Sequence, residues 1–402
     1  MNISEMLVPR VKNILPSGIR KYFDMINEME DVISLGVGEP DFVTPWNIIE
    51  EGIYSLEKGY THYSPNAGYM ELRNEISRYL KRRFNLSYNP KNEIIVTVGG
   101  SEAIDITLRC LVSEGDEVII PEPCFVAYKP CTVLTGATPV TINLRKEDQF
   151  KLTPELLEQA ITERTKVLIL SYPNNPTGAV MAKKDLAAIV EILKDKDIIV
   201  ISDEIYAELS YEQGHVSIAN FPEMKEKTIV INGFSKAYAM TGWRLGYVCG
   251  HPDLIGAMLK IHQYAIMCSP TTAQKAAIEA LRNSDRDVQF MVREYNRRRR
   301  VMVDGFRKAG YDCFEPQGAF YVFPCIENSG LSSEEFCDKL LMEEKVLVVP
   351  GNAFGECGEG FIRATYATSM ENIIKALNKI QNFAKRYNKK ALAKESYVSS
   401  LV

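Results

Sequence analysis

The chain has 402 residues, of which 46% are hydrophobic and 25% are charged, and its formal net charge is −5. This length favours one large domain or two of ordinary size, with enough residues to bury a substantial core. The composition and weakly acidic balance are not those of a general nucleic-acid or membrane-surface binder, and no apolar run approaches the roughly 18 residues of a bilayer-spanning helix.

Short β-branched runs alternate with helical patterns through the first two thirds of the chain. Strands are predicted at 93–98, 116–121, 166–172, 198–203, 228–233 and 245–250. Helical patterns such as 101–112 and 182–196 separate them. Near-continuous apolar strands with helices between them predict an α/β fold with a mostly parallel sheet covered by helices on both faces.

Past residue 284 the pattern changes to that of an α+β layer. A charged amphipathic helix is predicted at 286–310, followed by strand-like runs at 319–326, 346–351 and 360–367 around a helix at 332–345. The N-terminal arm contributes one strand-like run, 32–38, which precedes the α/β alternation. We therefore predict a large domain of residues 48–285 and a smaller domain formed by residues 1–47 and 286–402.

Cysteine and histidine usage indicates the compartment and the absence of a metal site. The nine cysteines are odd in number and none are spaced C-x-x-C, and no signal peptide begins at Met1, so reduced thiols and a cytoplasmic location are expected. The four histidines show neither H-E-x-x-H nor zinc-finger spacing, so no metal is expected.

The residues that follow the strands suggest the chemistry, because ligands of parallel α/β sheets bind outside the carboxyl ends of the strands. The first strand is followed by Gly99-Gly100-Ser101-Glu102 at the start of a helix, which is either an anion site or an ordinary turn with Ser101 as a cap. The strand ending at 172 is followed by "PNNPTG", either a structural turn or a rigid loop that positions a polar ligand.

Asp203 closes a strand that should be buried, so its carboxylate needs a cation or strong donors. A helix N-cap, a structural salt bridge and a paired metal site are the other interpretations of this acid. In "SKAYAMTGWR", Lys236 lies in an apolar setting that should lower its pKa, although it could instead extend to the surface. Arg244 has no acid nearby in sequence and needs an anion.

These features fit one ligand, pyridoxal 5′-phosphate (PLP). It has a phosphate, an aldehyde that forms a Schiff base with a lysine, and a ring nitrogen that a carboxylate keeps protonated.

Several motifs, in a fixed order, resemble those of the class I and II aminotransferases, and are closest to the prokaryotic aspartate and aromatic aminotransferases. They are "ISLGVGEPDF", "THYSPNAGYMELR", "YPNNPTGAV", "SDEIY", "SKAYAMTGWRLGY" and "GFIRATYA", and they extend the resemblance from about Ile14 to Arg386. The resemblance implies the PLP-dependent transferase fold and a homodimer with shared active sites. It also implies transfer of an amino group from an aromatic or aspartate-like L-amino acid to a 2-oxo acid such as 2-oxoglutarate, by a ping-pong Schiff-base mechanism.

The family's catalytic roles carry over onto matching positions. Lys236 resembles the Schiff-base lysine, which also moves the substrate proton, and Asp203 resembles the partner of the ring nitrogen. Tyr206 and Asn175 match the groups that bind the ring 3-oxygen, and Phe125 matches the aromatic side chain that stacks on the ring.

The remaining cofactor and substrate contacts follow from the same resemblance. The phosphate cradle is expected to consist of Gly100, Ser101, Glu102, Ser235 and Arg244, with Tyr63 reaching the phosphate of the neighbouring subunit. Glu102 is compatible with this cradle only if its side chain points away while its backbone amide contributes. Substrate contacts are expected from Arg363, which would grip the α-carboxylate, and from Asn175 and Gly38.

Two features depart from the family pattern. Some relatives have a serine phosphate ligand where this chain has Gly233, and Ser235 is the substitute. The sequence commits no cation to a distal carboxylate, although Arg20 and Lys21 lie in a segment that closes over the site in the family.

Two alternative functions remain at this point. A PLP-dependent C–S β-lyase would share the lysine, aspartate and arginine. A non-catalytic sensor of this fold would need a DNA-binding domain, for which the roughly 30 residues before the first motif are too few. We interpret the run Arg297–Arg300 as a solvated helix face that pairs with acids, and not as a nucleic-acid site.

Overall fold

The computed structural model describes residues 2–14, 16, 18–19 and 29–387. The strands, in chain order, are β1 (Ile33–Ser34), β2 (Ile94–Thr97), β3 (Glu117–Glu122), β4 (Thr138–Asn143), β5 (Thr165–Ser171), β6 (Ile199–Asp203), β7 (Thr228–Gly233), β8 (Gly246–Cys249), β9 (Tyr321–Val322), β10 (Val346–Leu347), β11 (Val349–Pro350) and β12 (Ile362–Thr365). The α-helices are α1 (Pro9–Lys12), α2 (Trp46–Glu57), α3 (Met70–Phe84), α4 (Gly99–Leu111), α5 (Tyr128–Thr135), α6 (Pro154–Ala160), α7 (Lys183–Leu193), α8 (Pro222–Lys225), α9 (Pro252–Ala265), α10 (Thr271–Asn283), α11 (Asp285–Lys308), α12 (Ser333–Glu344) and α13 (Met370–Tyr387). Among the described residues, no helix combines the length and apolar character that a bilayer crossing requires.

Within the described residues, seven strands form one sheet in the order β2-β8-β7-β6-β5-β3-β4. The neighbours from β7 to β4 run parallel, whereas β8 is antiparallel to both β7 and β2. The predicted α/β fold with a mostly parallel sheet is confirmed. The carboxyl ends of β5, β6 and β7 lie side by side at one edge of this sheet, because these strands are parallel neighbours.

Both faces of the sheet are covered, and β5 shows how its sequence achieves this. Val167 and Ile169 point into a core shared with helices α4 and α9. Leu168 and Leu170, one position along in each case, point into a core shared with α6 and α7. Successive side chains of a strand alternate between faces, so a stretch that is covered on both sides, here residues 167–170, is apolar at consecutive positions.

The C-terminal part contains two smaller sheets. Strands β11, β12 and β9 are antiparallel neighbours in that order, and β1 pairs in parallel with β10, with Ile33 opposite Val346. Side chains of α11, α12 and α13 form the buried core beside these strands. The predicted strands and helices between 319 and 367 are therefore present, and the N-terminal strand packs with them. The domain boundaries at 47/48 and 285/286 stay a prediction.

The interpretation of Arg297–Arg300 as a solvated face is wrong for two of its members. Arg298 is 7% exposed and its Nη1 lies 2.7 Å from Asp41 Oδ1, while Arg299 is fully buried with Nη2 3.2 Å from Glu212 Oε1. Pairing with acids is present as expected. Consecutive residues of a helix are about 100° apart around its axis, so four of them cannot share one face.

Candidate active site

A cavity of about 380 Å³ lies at the carboxyl ends of β5, β6 and β7. The predicted site residues that line it are Gly38, Gly100, Ser101, Phe125, Asn175, Asp203, Tyr206, Ser235, Lys236, Arg244 and Arg363. All of the predicted site residues except Glu102 and Tyr63 therefore come together around one space.

Lys236 lies in the loop between β7 and β8, and its amine is inside the cavity. Its Nζ donates a hydrogen bond to the Gly38 carbonyl oxygen at 2.6 Å and lies 5.7 Å from the centroid of the Tyr206 ring. Burial lowers the pKa of Lys236 to about 8, and the neighbouring Arg363 guanidinium acts in the same direction. Compared with an exposed lysine, this amine is much closer to its neutral, nucleophilic form at neutral pH.

Asp203 ends β6 with its carboxylate buried beside the cavity. The Tyr128 hydroxyl donates to Oδ2 at 2.7 Å, and the Ile205 amide donates to Oδ1 at 3.2 Å. Burial raises the pKa of Asp203, and these two donors oppose the rise. Within the part of the chain that the structure describes, no group of three or more His, Cys, Asp or Glu side chains is placed to hold a metal ion.

A cradle of donors forms another side of the cavity, where α4 begins. This helix starts at Gly99, two residues earlier than predicted, and no side chain caps it. A Cβ at Gly99 would lie 2.8 Å from Arg244 Nη2, and a Cβ at Gly246 on β8 would lie 2.8 Å from the Gly100 nitrogen. Two glycines thus allow the arginine and a neighbouring strand to approach the first turn, whose amides have no intrahelical partner.

Arg363, on β12, reaches the cavity from the smaller antiparallel sheet. Its Nη1 donates to Asn175 Oδ1 at 3.0 Å and its Nη2 donates to the Gly36 carbonyl oxygen, while its guanidinium carbon lies 4.6 Å from the centroid of the Tyr321 ring. Among the described residues, its Nε finds no hydrogen-bond partner. A buried cation with a spare donor is suited to bind a ligand carboxylate.

Aromatic side chains complete the lining of the cavity. Phe125 packs edge-on against Tyr128, with ring centroids 5.6 Å apart. The Tyr206 hydroxyl lies 2.7 Å from the Tyr321 hydroxyl, and both groups are buried. The cavity therefore offers apolar ring faces between its charged ends.

Glu102 is absent from the lining because its side chain points elsewhere. Its carboxylate accepts a hydrogen bond from the Val98 amide and contacts Nδ1 of the fully buried His262. The acid is thereby turned away from the cradle, while its backbone amide stays in the first turn of α4.

Tyr63 lies outside the lining for a different reason. It is 80% exposed on the surface of this chain. Two further residues that the resemblance brought forward, Arg20 and Lys21, fall outside the described residues.

Sequence reasoning missed several residues that the fold brings to the cavity. They are Ile19, Val37, Glu39, Ile104, Tyr128, Ser171, Ile205, Thr241 and Tyr321. Tyr128 had a weak signal, since it lies only three residues after Phe125, which the resemblance assigned to the cofactor ring. Tyr321 had none, because its contact with Tyr206 depends on how β9 packs against the end of β6.

Comparisons with known proteins agree with one another. The family model described as "Aminotransferase class I and II" matches residues 30–380. The chain is 55% identical to the putative aminotransferase YugH of Bacillus subtilis, covering 93% of this chain and 97% of that protein. It is 45% identical to an aspartate aminotransferase of Pyrococcus abyssi, covering 92% and 96%. The crystal structure of an aromatic aminotransferase from Pyrococcus horikoshii superposes with a TM-score of 0.87 at 43% identity, covering 91% of this chain and 99% of that one.

Proposed function

The chain belongs to the class I and II aminotransferases, which are PLP-dependent enzymes, and we propose that it transfers the amino group of an aromatic or aspartate-like L-amino acid to a 2-oxo acid such as 2-oxoglutarate. The observation that carries this proposal is Lys236, an enclosed amine with its pKa lowered to about 8, in a cavity that Asp203 and Arg363 also line. The relatives named for aspartate and for aromatic amino acids support both donor classes.

The lining residues fit PLP. Gly100 and Ser101, in the first turn of α4, line the cavity and are accessible to a phosphate there, and Arg244 supplies a cation beside them. The phosphate would be held by Gly100, Ser101, the Glu102 amide, Ser235 and Arg244. The ring would be held by Asp203 at its nitrogen, by Asn175 and Tyr206 at its oxygen, and by Phe125 on its face. When bound, PLP supplies a carbonyl that takes up the amino group and a ring that takes up electrons from the substrate α-carbon.

Lys236 would carry the cofactor and move the substrate proton. While substrate is bound, the Lys236 amine would act as the proton carrier inside the cavity. A pKa of about 8 leaves a useful fraction of it neutral near pH 7.5, so Nζ can accept the α-proton and afterwards release it. Its hydrogen bond to the Gly38 carbonyl would hold the amine near the residues to which the substrate contacts are assigned.

Arg363 would bind the α-carboxylate that donors and acceptors share. Its Nη1 and Nη2 are already held by Asn175 and Gly36, and its Nε is a donor without a partner among the described residues. A planar guanidinium held in this way binds a carboxylate with little further loss of conformational freedom. A substrate held in this way would have its α-carbon within the cavity that Lys236 also lines.

Asp203 would keep the cofactor's ring nitrogen protonated. Tyr128 and Ile205 each donate a hydrogen bond to its carboxylate, which favours the ionised form that burial opposes. An ionised carboxylate next to the ring nitrogen stabilises positive charge there.

The assembly and location are part of the proposal. Tyr63 is exposed and lies outside the cavity of its own chain, which supports the resemblance-based role of reaching a neighbouring subunit's phosphate in a homodimer. We expect sedimentation equilibrium to give a dimer and Tyr63→Phe to weaken PLP retention. The cysteine pattern supports a cytoplasmic location. We propose 48–285 and 1–47 with 286–402 as the two domains, which contribute Lys236 and Arg363 respectively to the site.

The proposal is tested with purified PLP-loaded protein, L-amino acids and 2-oxoglutarate, measuring glutamate. Lys236→Ala should lower turnover by at least about a hundredfold, because no second lysine lines the cavity within the described part of the chain. Lys194→Ala is the matched control, since Lys194 is an exposed lysine paired with Glu191. Wild-type turnover in Lys236→Ala would refute the assignment.

The alternative functions are separated by the products. A C–S β-lyase would release pyruvate and ammonia from cystathionine without a 2-oxo acid, and a non-catalytic sensor would form neither product. No feature of the cavity favours either alternative over amino transfer. Glutamate formation that depends on both the L-amino acid and 2-oxoglutarate would confirm the proposed reaction.

A further inference from the structure

Tyr321 joins the cofactor end and the substrate end of the cavity, although neither the sequence nor the resemblance singled it out. It lies on β9, is 1% exposed and lines the cavity. Its hydroxyl is 2.7 Å from that of Tyr206, and its ring faces the guanidinium of Arg363 at 4.6 Å. The side chain therefore contacts both residues, which are 157 positions apart along the chain.

The hydrogen bond between the Tyr206 and Tyr321 hydroxyls acquires a defined donor and acceptor once Tyr206 binds a ligand. A phenol has one proton to donate and lone pairs to accept, and in the structure either hydroxyl could be the donor to the other. If Tyr206 donates its proton to the cofactor's ring oxygen, it must accept from Tyr321. Hydrogen bonds in a chain polarise one another, so a bond accepted by Tyr206 makes its own proton a stronger donor.

Gly38 supports the view that the Tyr321 hydroxyl is closely confined. A Cβ at Gly38 would lie 2.5 Å from the Tyr321 oxygen, 3.4 Å from its Cζ and 3.6 Å from Arg363 Nη1. The loop whose carbonyl binds Lys236 thus passes directly over the hydroxyl. A change at Gly38 would displace the hydroxyl first.

We propose that Tyr321 is a positioning residue, which donates a hydrogen bond to Tyr206 and so strengthens the bond that Tyr206 gives to the cofactor's ring oxygen, while its ring supports Arg363. This inference rests on the proposed function, because it assigns Tyr206 to the cofactor oxygen. Tyr321 acts through its neighbours and takes no part in bond making.

The first test uses the PLP-loaded enzyme and follows the absorbance of the bound cofactor against pH. A hydrogen bond donated to the ring oxygen favours the deprotonated form of the chromophore, so weakening it should raise the midpoint of the transition. Tyr321→Phe is expected to raise that midpoint by about 0.5 to 1 pH unit. Tyr311→Phe is the matched control, since it removes another buried hydroxyl, one without a hydrogen-bond partner among the described residues.

A double-mutant cycle separates action through Tyr206 from a general packing effect. In a Tyr206→Phe background, Tyr321→Phe should no longer move the midpoint, because the relaying hydroxyl is gone. An equal shift in both backgrounds, or no shift in either, would overturn the proposal.

Kinetics test the role of the ring. Tyr321→Phe keeps the ring beneath Arg363, so the KM of the amino donor should stay within about twofold, whereas Tyr321→Leu should raise it roughly three- to thirtyfold. Equal KM values for the two variants would contradict the support of Arg363 by the ring.

A rescue experiment tests the geometry independently of the absorbance. Gly38→Ala should raise the donor KM, and adding Tyr321→Phe should recover part of the loss because the nearest atom is then the ring carbon at 3.4 Å. Failure of the second substitution to rescue the first would count against the hydroxyl's placement. If wild-type enzyme neither binds PLP nor transfers amino groups, the proposed function itself fails, which distinguishes that outcome from a failure confined to Tyr321.

Discussion

Replacing Tyr128 by phenylalanine should change the protonation of Asp203 without altering the shape of the site. Tyr128 is buried beside the cavity, and its hydroxyl supplies one of two hydrogen bonds that the Asp203 carboxylate accepts. The other donor, the amide of Ile205, is unaffected by the change. Phenylalanine keeps the ring that packs against Phe125.

The expected magnitude follows from the lost hydrogen bond. A hydrogen bond to a charged group stabilises by about 1.5 to 3 kcal/mol, and one pKa unit corresponds to roughly 1.4 kcal/mol. The pKa of Asp203, already raised by burial, should therefore rise further by about 1 to 2 units. Below the new pKa the carboxyl is protonated and cannot stabilise a charged ring nitrogen.

PLP binding to the apoprotein, titrated by absorbance across the acidic and neutral range, is the assay. Wild-type protein and Tyr128→Phe should bind equally at alkaline pH, where Asp203 is ionised in both. As the pH falls, affinity of the variant should decline first, by up to about ten- to a hundredfold. Tyr88→Phe is a suitable control, because the Tyr88 hydroxyl is buried without a partner in the described chain.

The rise in the pKa of Asp203 should also change how the stability of the apoprotein depends on pH. Because the folded-state pKa of Asp203 lies above its unfolded value of about 3.9, this carboxyl favours the folded apoprotein at pH below that value. Its contribution is lost as the pH rises through the folded-state pKa. Tyr128→Phe raises the folded-state pKa of Asp203 and so raises the pH at which this contribution is fully lost. The fall in Tm of the apoprotein with rising pH should therefore continue to a higher pH than in the wild type.

Two results would refute this reasoning. A loss of PLP affinity that is the same at every pH would mean that Tyr128 acts through packing and not through Asp203. Affinity and Tm profiles that coincide with those of the wild type would mean that the hydrogen bond does not influence the carboxylate at all.

Two further substitutions test the anion and carboxylate sites. Gly246→Ala should weaken PLP binding by about tenfold or more, because its Cβ would lie 2.7 Å from the Gly99 carbonyl carbon and overpacking costs about 1 to 3 kcal/mol. Gly242→Ala is the control, since a Cβ there would have no atom within 4 Å. Equal PLP affinities of the two variants would contradict the prediction. Arg363→Lys keeps the charge but loses the planar pair of donors. Steady-state kinetics should therefore show the KM of the amino donor raised by roughly ten- to a hundredfold, with a smaller change in kcat. An unchanged KM would exclude Arg363 from carboxylate binding.

Much of the fold could be predicted because burial imposes a simple pattern. The middle of a strand such as β5 lies between two layers of helices, so residues 167–170 are all apolar, and this run is visible without any tertiary information. The C-terminal strands are shorter than their predicted runs, because apolar residues continue into buried segments that do not pair. Burial of Arg298 and Arg299 was missed because charge in a sequence favours a solvent-exposed interpretation.

Much of the candidate site could also be predicted, for a topological reason. Parallel strands end at the same edge of the sheet, so Asp203 at the end of β6 and Lys236 after the adjacent β7 were expected to face different parts of one ligand. Glu102 illustrates the opposite case. Its backbone position follows from the helix start, whereas the direction of its side chain depends on His262, which is 160 residues away and fully buried.

The sequence by itself determined the family, the mostly parallel α/β fold and the principal charged groups, because apolar periodicity and short motifs are local properties of the chain. Only the tertiary structure decided which donors hold Asp203, which rings face Arg363, and that Tyr321 links Tyr206 with Arg363. These contacts join strands and loops that are distant in sequence. Their geometry is set by the packing of the sheets against one another, which no local pattern of residues records.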